Sequence, residues 1–295
     1  MKKWFIFTML GLTLSAPCFA LRSWNGRILH VRTQKDISIK ELTAGLSKAR
    51  TIILGEKHNT VAIQLAQSLI IDKVVTATYT EGLFITAWEF LNYTDQEKID
   101  AAYALFLSGK INALDFLIET QGTAGNDSYI PVLETTKARQ GNIIGVNLSR
   151  EIKAPVVKGG INAIDPKYLP PNFAMGSAGY HQRFVEAMSG HASTEIIENY
   201  YAAQCLTDDV MAYTLQKYFT IPLLFLITGS FHTDYYDGVV DRVNIRLTDK
   251  SLAVVRLIDA SDYDEKELNE TLSEILYNKI YGNIADYVYF VNEPV

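Results

Sequence analysis

Two short segments hold most of the residue types that do chemistry: Gly55-Glu56-Lys57-His58 and Gly229-Ser230-Phe231-His232 each set an imidazole three residues after a glycine. Imidazole and carboxylate together bind transition metals, hold haem iron or move protons near neutral pH, so the set admits several chemistries and selects none. Alone, each segment is a weak signal, because a glycine that closes a strand before a turn is common and a histidine after it often only caps a helix. Glu89, within Trp88-Glu89-Phe90, either ends an aromatic run in solvent or adds a carboxylate to the site. Asp208 shares a helical stripe with Gln204, Met211 and Leu215, and reads equally as an orienter of a histidine and as an ordinary buried hydrogen-bonding group. Tyr235 and Tyr236 follow His232 closely; tyrosinate is a hard oxygen ligand suited to ferric haem, while loop tyrosines more commonly pack on their surroundings. Arg150, Arg183 and Arg242 are read as partners for haem propionates or as plain surface charges. Cys205 has no cysteine partner and reads as core packing, and His30, His181 and His191 read as surface or loop residues.

The elements that must position these groups follow from the apolar pattern. Strands are expected at Thr51–Gly55, Thr78–Thr80, Thr86–Phe90, Asn142–Asn147, Leu223–Gly229, Leu252–Ile258 and Tyr287–Val291. They are apolar throughout rather than alternating, which suits a mainly parallel central sheet covered by helices on both faces, an α/β fold. Helices are expected at Val61–Lys73, Asp95–Ser108, Ile130–Gln140, Thr194–Phe219 and Glu265–Tyr277. The stretch Asp165–Ser193 is rich in Pro, Gly, Ser and Tyr, so residues 165–220 are expected to form a smaller helical subdomain or insertion. In open parallel sheets, ligands bind outside the carboxyl ends of the strands. Glu56, His58, Glu89, Asn147 and His232 all follow or close such ends, which predicts one shared polar crevice.

Residues 1–20 read as a cleavable signal peptide: Lys2 and Lys3, an apolar run from Trp4 to Leu14, then small residues to Ala20. The run is too short to span a membrane as a helix. Pro17 before Cys18 is a poor setting for lipid attachment, so a lipoprotein is the lesser expectation and a periplasmic or secreted protein the main one. Loss of these residues leaves 25 basic against 33 acidic residues, moving the net charge from −6 to −8 and disfavouring nucleic acid as a partner. Only Cys205 remains, so no intramolecular disulfide is available, and core burial must hold residues 21–295 as one main domain.

The motifs taken in order resemble the ChaN-like haem-binding family, within the wider group of Tiki, TraB and erythromycin-esterase-like proteins. The resemblance rests on Ile53-Leu54-Gly55-Glu56-Lys57-His58-Asn59, Trp88-Glu89-Phe90 with Asp95-Gln96, Tyr129–Leu133, Gly145-Val146-Asn147-Leu148-Ser149-Arg150, Gln204 with Asp208 and Met211-Ala212, Gly229–Gly238, and Asp286-Tyr287. It implies a parallel α/β domain and a haem-binding protein serving haem or iron acquisition, with His58, His232, Tyr235 and Arg150 as cofactor contacts. A homodimer and an outer-membrane haem receptor system are the expected partners. In the wider group it implies a hydrolase, peptidase or esterase, so an enzymatic role stays open. There Glu56, His58, Glu89 and His232 would hold a divalent metal or act directly, with Asn147 and Asp208 supporting them. The chain departs from the family pattern at Val61-Ala62-Ile63-Gln64, where members often carry a histidine pair, and at Gly238-Val239-Val240, where they often have Gly-Val-Pro.

Overall fold

The computed structural model describes residues 24–247 and 251–292; the expected signal peptide, with Cys18, lies outside the described residues. The strands are β1 (Ile28–His30), β2 (Lys35–Ile37), β3 (Thr51–Glu56), β4 (Phe84–Asn92), β5 (Asn142–Asn147), β6 (Leu223–Gly229), β7 (Leu252–Asp259), the short pair β8 (Tyr277–Asn278) and β9 (Gly282–Asn283), and β10 (Tyr287–Val291). The helices are α1 (Ile39–Leu46), α2 (Val61–Thr78), α3 (Gln96–Leu107), α4 (Ala113–Gln121), α5 (Ile130–Ala138), α6 (Arg150–Gly159), α7 (Ala178–Met188), α8 (Thr194–Gln216), α9 (Val239–Arg246) and α10 (Glu265–Leu276). The main sheet runs β2-β1-β10-β7-β3-β6-β4-β5. From β10 to β5 every neighbouring pair is parallel, whereas β1 and β2 add an antiparallel edge.

The uniformly apolar strands bury both faces. In β3, Ile52 and Leu54 pack into one core with α1 to α5, while Ile53 between them packs into another with α8, α9 and α10. That alternation of faces is the period-two geometry of a strand carrying apolar residues on both sides. Residues around α6, α7 and α8 have apolar clusters of their own, one built on Leu148, Val156 and Leu206, the other on Tyr180, Phe184 and Tyr201.

The expected strand Thr78–Thr80 does not form. Thr78 is instead the last residue of α2, and Tyr79 closes that helix at φ 55°. Ile70, Ile71, Val74 and Val75 are all buried at helical spacing, so tertiary packing overrides the β preference of the β-branched residues there. The pattern also left α1, α4, α6, α7, α9, the β1–β2 edge and the β8–β9 pair unassigned, all short elements, the helices running 8 to 11 residues.

The parallel strands all point their carboxyl ends the same way, and β6 lies between β3 and β4. The β3-to-β4 connection therefore crosses over β6, and the β6-to-β7 connection crosses over β3. This is where a doubly wound sheet opens a crevice.

Candidate functional site

Glu56 is the last residue of β3, and its side chain is wholly buried. A carboxylate removed from water needs several donors. It receives Gln64 Nε2 at 2.9 Å, Gln67 Nε2 at 2.6 Å, the Tyr129 hydroxyl and His58 Nδ1 at 2.9 Å. Gln64 and Gln67 stand one turn apart on α2, the only break in its inner apolar face that matters here, and both are fully buried. The His58 ring keeps 40% of its surface exposed and packs edge-on against Phe90. Burial lowers its pKa, but the Glu56 hydrogen bond and the Glu89 charge outweigh that, so the net shift is upward. With Nδ1 tied to Glu56, Nε2 is the free nitrogen.

Glu89 reaches the same place because β4 loses register with β5 between Trp88 and Asn92, immediately after its last regular pair with β6. Such an irregularity re-aims the side chains it contains. Glu89 Oε2 accepts the Thr228 hydroxyl at 2.6 Å and the Gly229 amide at 2.7 Å. Its carboxyl is held well below the usual range: burial opposes ionisation, but His232 and these donors overcome it. The solvent-facing reading of Glu89 is thereby replaced by a part-buried carboxylate aimed at the end of β6.

His232 is buried between two carboxylates, with Nδ1 2.6 Å from Asp208 Oδ1 and Nε2 3.4 Å from Glu89 Oε1. Burial pushes the imidazole down, yet Asp208 and Glu89 push it up to about 10. Asp208, fully buried on α8, is raised by burial against the pull of His232, and the Tyr180 hydroxyl donates to its other oxygen at 2.8 Å. The direction that decides the charge state is that of His232: flanked by two acids, it is an imidazolium at neutral pH. A β-carbon on Gly229 would lie 2.8 Å from His58 Nε2 and 3.7 Å from Glu89 Oε2, so the two glycine-histidine segments meet across that glycine. Glu56, His58, Gln204, Gly229 and His232, with Phe184, Met188, Arg256, Asp259 and Tyr263, line a cavity of about 520 Å³.

Other candidates sit elsewhere. Asn147 ends β5, and its Oδ1 accepts Lys153 Nζ at 3.0 Å. Burial lowers the Lys153 pKa, partly offset by Glu89 and Asp208. Tyr235, at φ 64°, packs at a tilt against Tyr281 and lies under the Arg183 guanidinium rather than on the cavity wall, and the Tyr236 hydroxyl donates to Asp286. Arg183 donates to the Asp234 carbonyl, and Arg242 to the carbonyls of Ala174 and Met175, so both brace loops. Arg150 is exposed on α6 and lines an adjoining cavity. Cys205 is buried, its thiol pushed up to about 12 chiefly by burial. His30 is part-buried at the end of β1, His181 pairs with Glu198, and His191 is exposed.

Sequence reasoning gave no role in the site to Gln64, Gln67, Tyr129, Tyr180 or Lys153, although Tyr129 and Gln64 fall in segments compared with the family. The signal for the first two was present: two amides at i and i+3 on the inner stripe of an apolar helix. Among the described residues no three His, Cys, Asp or Glu side chains are grouped to hold a metal ion. Haem needs less: one accessible nitrogen beside an open, partly apolar space, and His58 Nε2 at the 520 Å³ cavity meets that requirement. Both nitrogens of His232 face carboxylates, whereas the part-exposed His58 ring is tied to one through Nδ1.

A family model described as haem-binding uptake, Tiki superfamily, ChaN, matches residues 42–243. No curated protein sequence matches the chain significantly. Among solved structures, a ChaN of Campylobacter jejuni, described as binding haem cofacially, superposes with a TM-score of 0.67 at 22% identity over 90% of this chain and 96% of that one. The type III effector HopBA1 gives a TM-score of 0.48 at 12% identity, over 87% of this chain and 94% of that one. An erythromycin esterase mutant in its open conformation gives 0.44 at 11%, over 80% and 77%. The first supports the shared mostly parallel α/β fold, and the family model, spanning well over half of the sequence, decides membership: the chain belongs to the ChaN family of haem-binding uptake proteins in the Tiki superfamily.

Proposed function

We propose that this protein binds haem in the cavity beside His58, as an exported component of haem or iron acquisition. The observation that carries the reading is the His58 imidazole itself: part-exposed, fixed through Nδ1 by a fully buried carboxylate, and open at Nε2 toward the cavity. A carboxylate partner of that kind fixes the tautomer and raises the ligating power of the other nitrogen. Bound haem would supply an iron centre; His58 would hold it, Phe184 and Met188 would cover apolar ring surface, and Arg256 would offer positive charge from the cavity wall. The test is titration of haemin into the purified protein with the Soret band as readout. His58→Ala should abolish the shift seen with wild type, whereas Tyr235→Phe should leave it in place; a wild-type spectrum identical to free haemin would refute the proposal.

A hydrolytic reading draws on the two imidazole-carboxylate couples at one sheet edge. His232, held as an imidazolium, suits stabilisation of developing negative charge rather than proton abstraction, which leaves His58 as the base. Turnover of an ester or peptide substrate that disappears in both His58→Ala and His232→Asn would favour it over haem binding.

A further inference from the structure

A second cavity, of about 640 Å³, opens between α6, α7 and α8. Arg150, Lys153 and Lys158 of α6 line it, and no acidic residue does. This is unexpected in an acidic chain of net charge −6. Among the described residues none of these three cations is within ion-pair distance of a carboxylate; Lys153 donates to the amide oxygen of Asn147 and feels the charges of Glu89 and Asp208 from farther off. The nearby Glu151 turns back onto Ser149. Val157 of α6 lies among the cations, and the facing wall from α7 and α8 is Phe184, Met188 and Ala203, with Tyr200, Gln204 and Thr207 beside them. Lys153 is part-buried, so its amine has already lost much of its water and gains more from an anion than a surface lysine would. Phe184, Met188 and Gln204 also line the cavity beside His58, so those three side chains separate the two spaces.

We propose that this cavity is a binding site for the carboxylate end of an amphipathic ligand, with Arg150, Lys153 and Lys158 pairing the acid and Phe184, Met188 and Val157 covering the apolar body. Such a carboxylate comes from one of two sources: a free alkyl carboxylate, or the acid edge of a porphyrin whose ring occupies the adjoining cavity. The second source rests on the haem reading above; the first does not.

The experiment measures decanoate binding by calorimetry, and haemin and haemin dimethyl ester binding by absorbance, for wild type, Arg150→Gln and the double variant Lys153→Met with Lys158→Met. Arg150 is exposed, so its variant should fold even if the double variant does not. If the ligand is a free carboxylate, decanoate binds wild type and weakens about tenfold or more in the variants. If the ligand is the porphyrin edge, decanoate does not bind, haemin binds wild type about tenfold more tightly than its diester, and that preference shrinks in the variants. Wild-type protein that binds neither decanoate nor, preferentially, the free diacid overturns the proposal. Haemin binding without any such preference, together with no decanoate binding, overturns it while sparing the haem reading. Decanoate binding without haemin binding does the reverse.

Discussion

At the scale of single residues the site is governed by where charge is placed out of water. Glu56 is satisfied by four donors, so it is a structural acid that also holds the His58 ring through Nδ1. In Glu56→Gln the new amide nitrogen would face the amides of Gln64 and Gln67. We expect a loss of about 2–3 kcal/mol in urea unfolding, and a His58 pKa that falls when followed by NMR, because the Glu56 hydrogen bond helps hold it up. Haemin affinity should drop roughly 10- to 100-fold in the same variant. His232 gives the pH dependence. Its pKa is about 10 in the folded chain against an ordinary 6.5, so its stabilisation is complete below about pH 6.5 and is lost as pH rises through 10. Unfolding free energies measured from pH 6.5 to 10 should decline in wild type, and the decline should flatten in His232→Asn. That comparison isolates His232 from Lys153, whose lowered pKa acts in the opposite sense.

At the scale of elements, the irregularity in β4 and the end of β6 bring the catalytically capable groups together. Gly145 of β5 sits against the irregular turn of β4: a β-carbon there would lie 2.4 Å from the Asn92 carbonyl oxygen and 2.9 Å from the Leu91 carbonyl carbon. Gly229 differs, since its added β-carbon would meet a side chain, the His58 ring at 2.8 Å, rather than backbone. Gly145→Ala should therefore lower the melting temperature, with a cost of about 1–3 kcal/mol. Gly229→Ala should lower melting less than Gly145→Ala does while weakening haemin binding, because it displaces the His58 ring; equal losses of stability in both would show that the two glycines serve the same structural purpose. The placement of Glu56, His58, Asn147 and His232 at or just past strand ends was legible because apolar runs ending in glycine or polar residues mark those ends directly, whereas Glu89 lies inside β4 and reaches the same edge only through the loss of register there. The position of Tyr235 was not, since the direction of a loop tyrosine depends on Arg183 and Tyr281, which are distant in sequence.

At the scale of the whole molecule, two cavities share one wall: the first is lined by acids, imidazoles, Lys57 and Arg256, the second by Arg150, Lys153 and Lys158 with no acidic residue. Export is a proposal at this scale, resting on Lys2, Lys3 and the apolar run that follows. Mass spectrometry of the protein from a periplasmic extract should find a chain starting at Leu21; a chain retaining Met1 would count against it. The sequence by itself determined the α/β class, the strand ends and the family motifs, because these depend on local periodicity and on residues adjacent in the chain. Only the tertiary structure decided that His58 is open and His232 closed, that Glu89 turns inward, and that Lys153 joins the wall of a second cavity. Those outcomes depend on which faces of α2, α6 and α8 pack over the strand ends, and that packing is set by burial of side chains far apart in sequence.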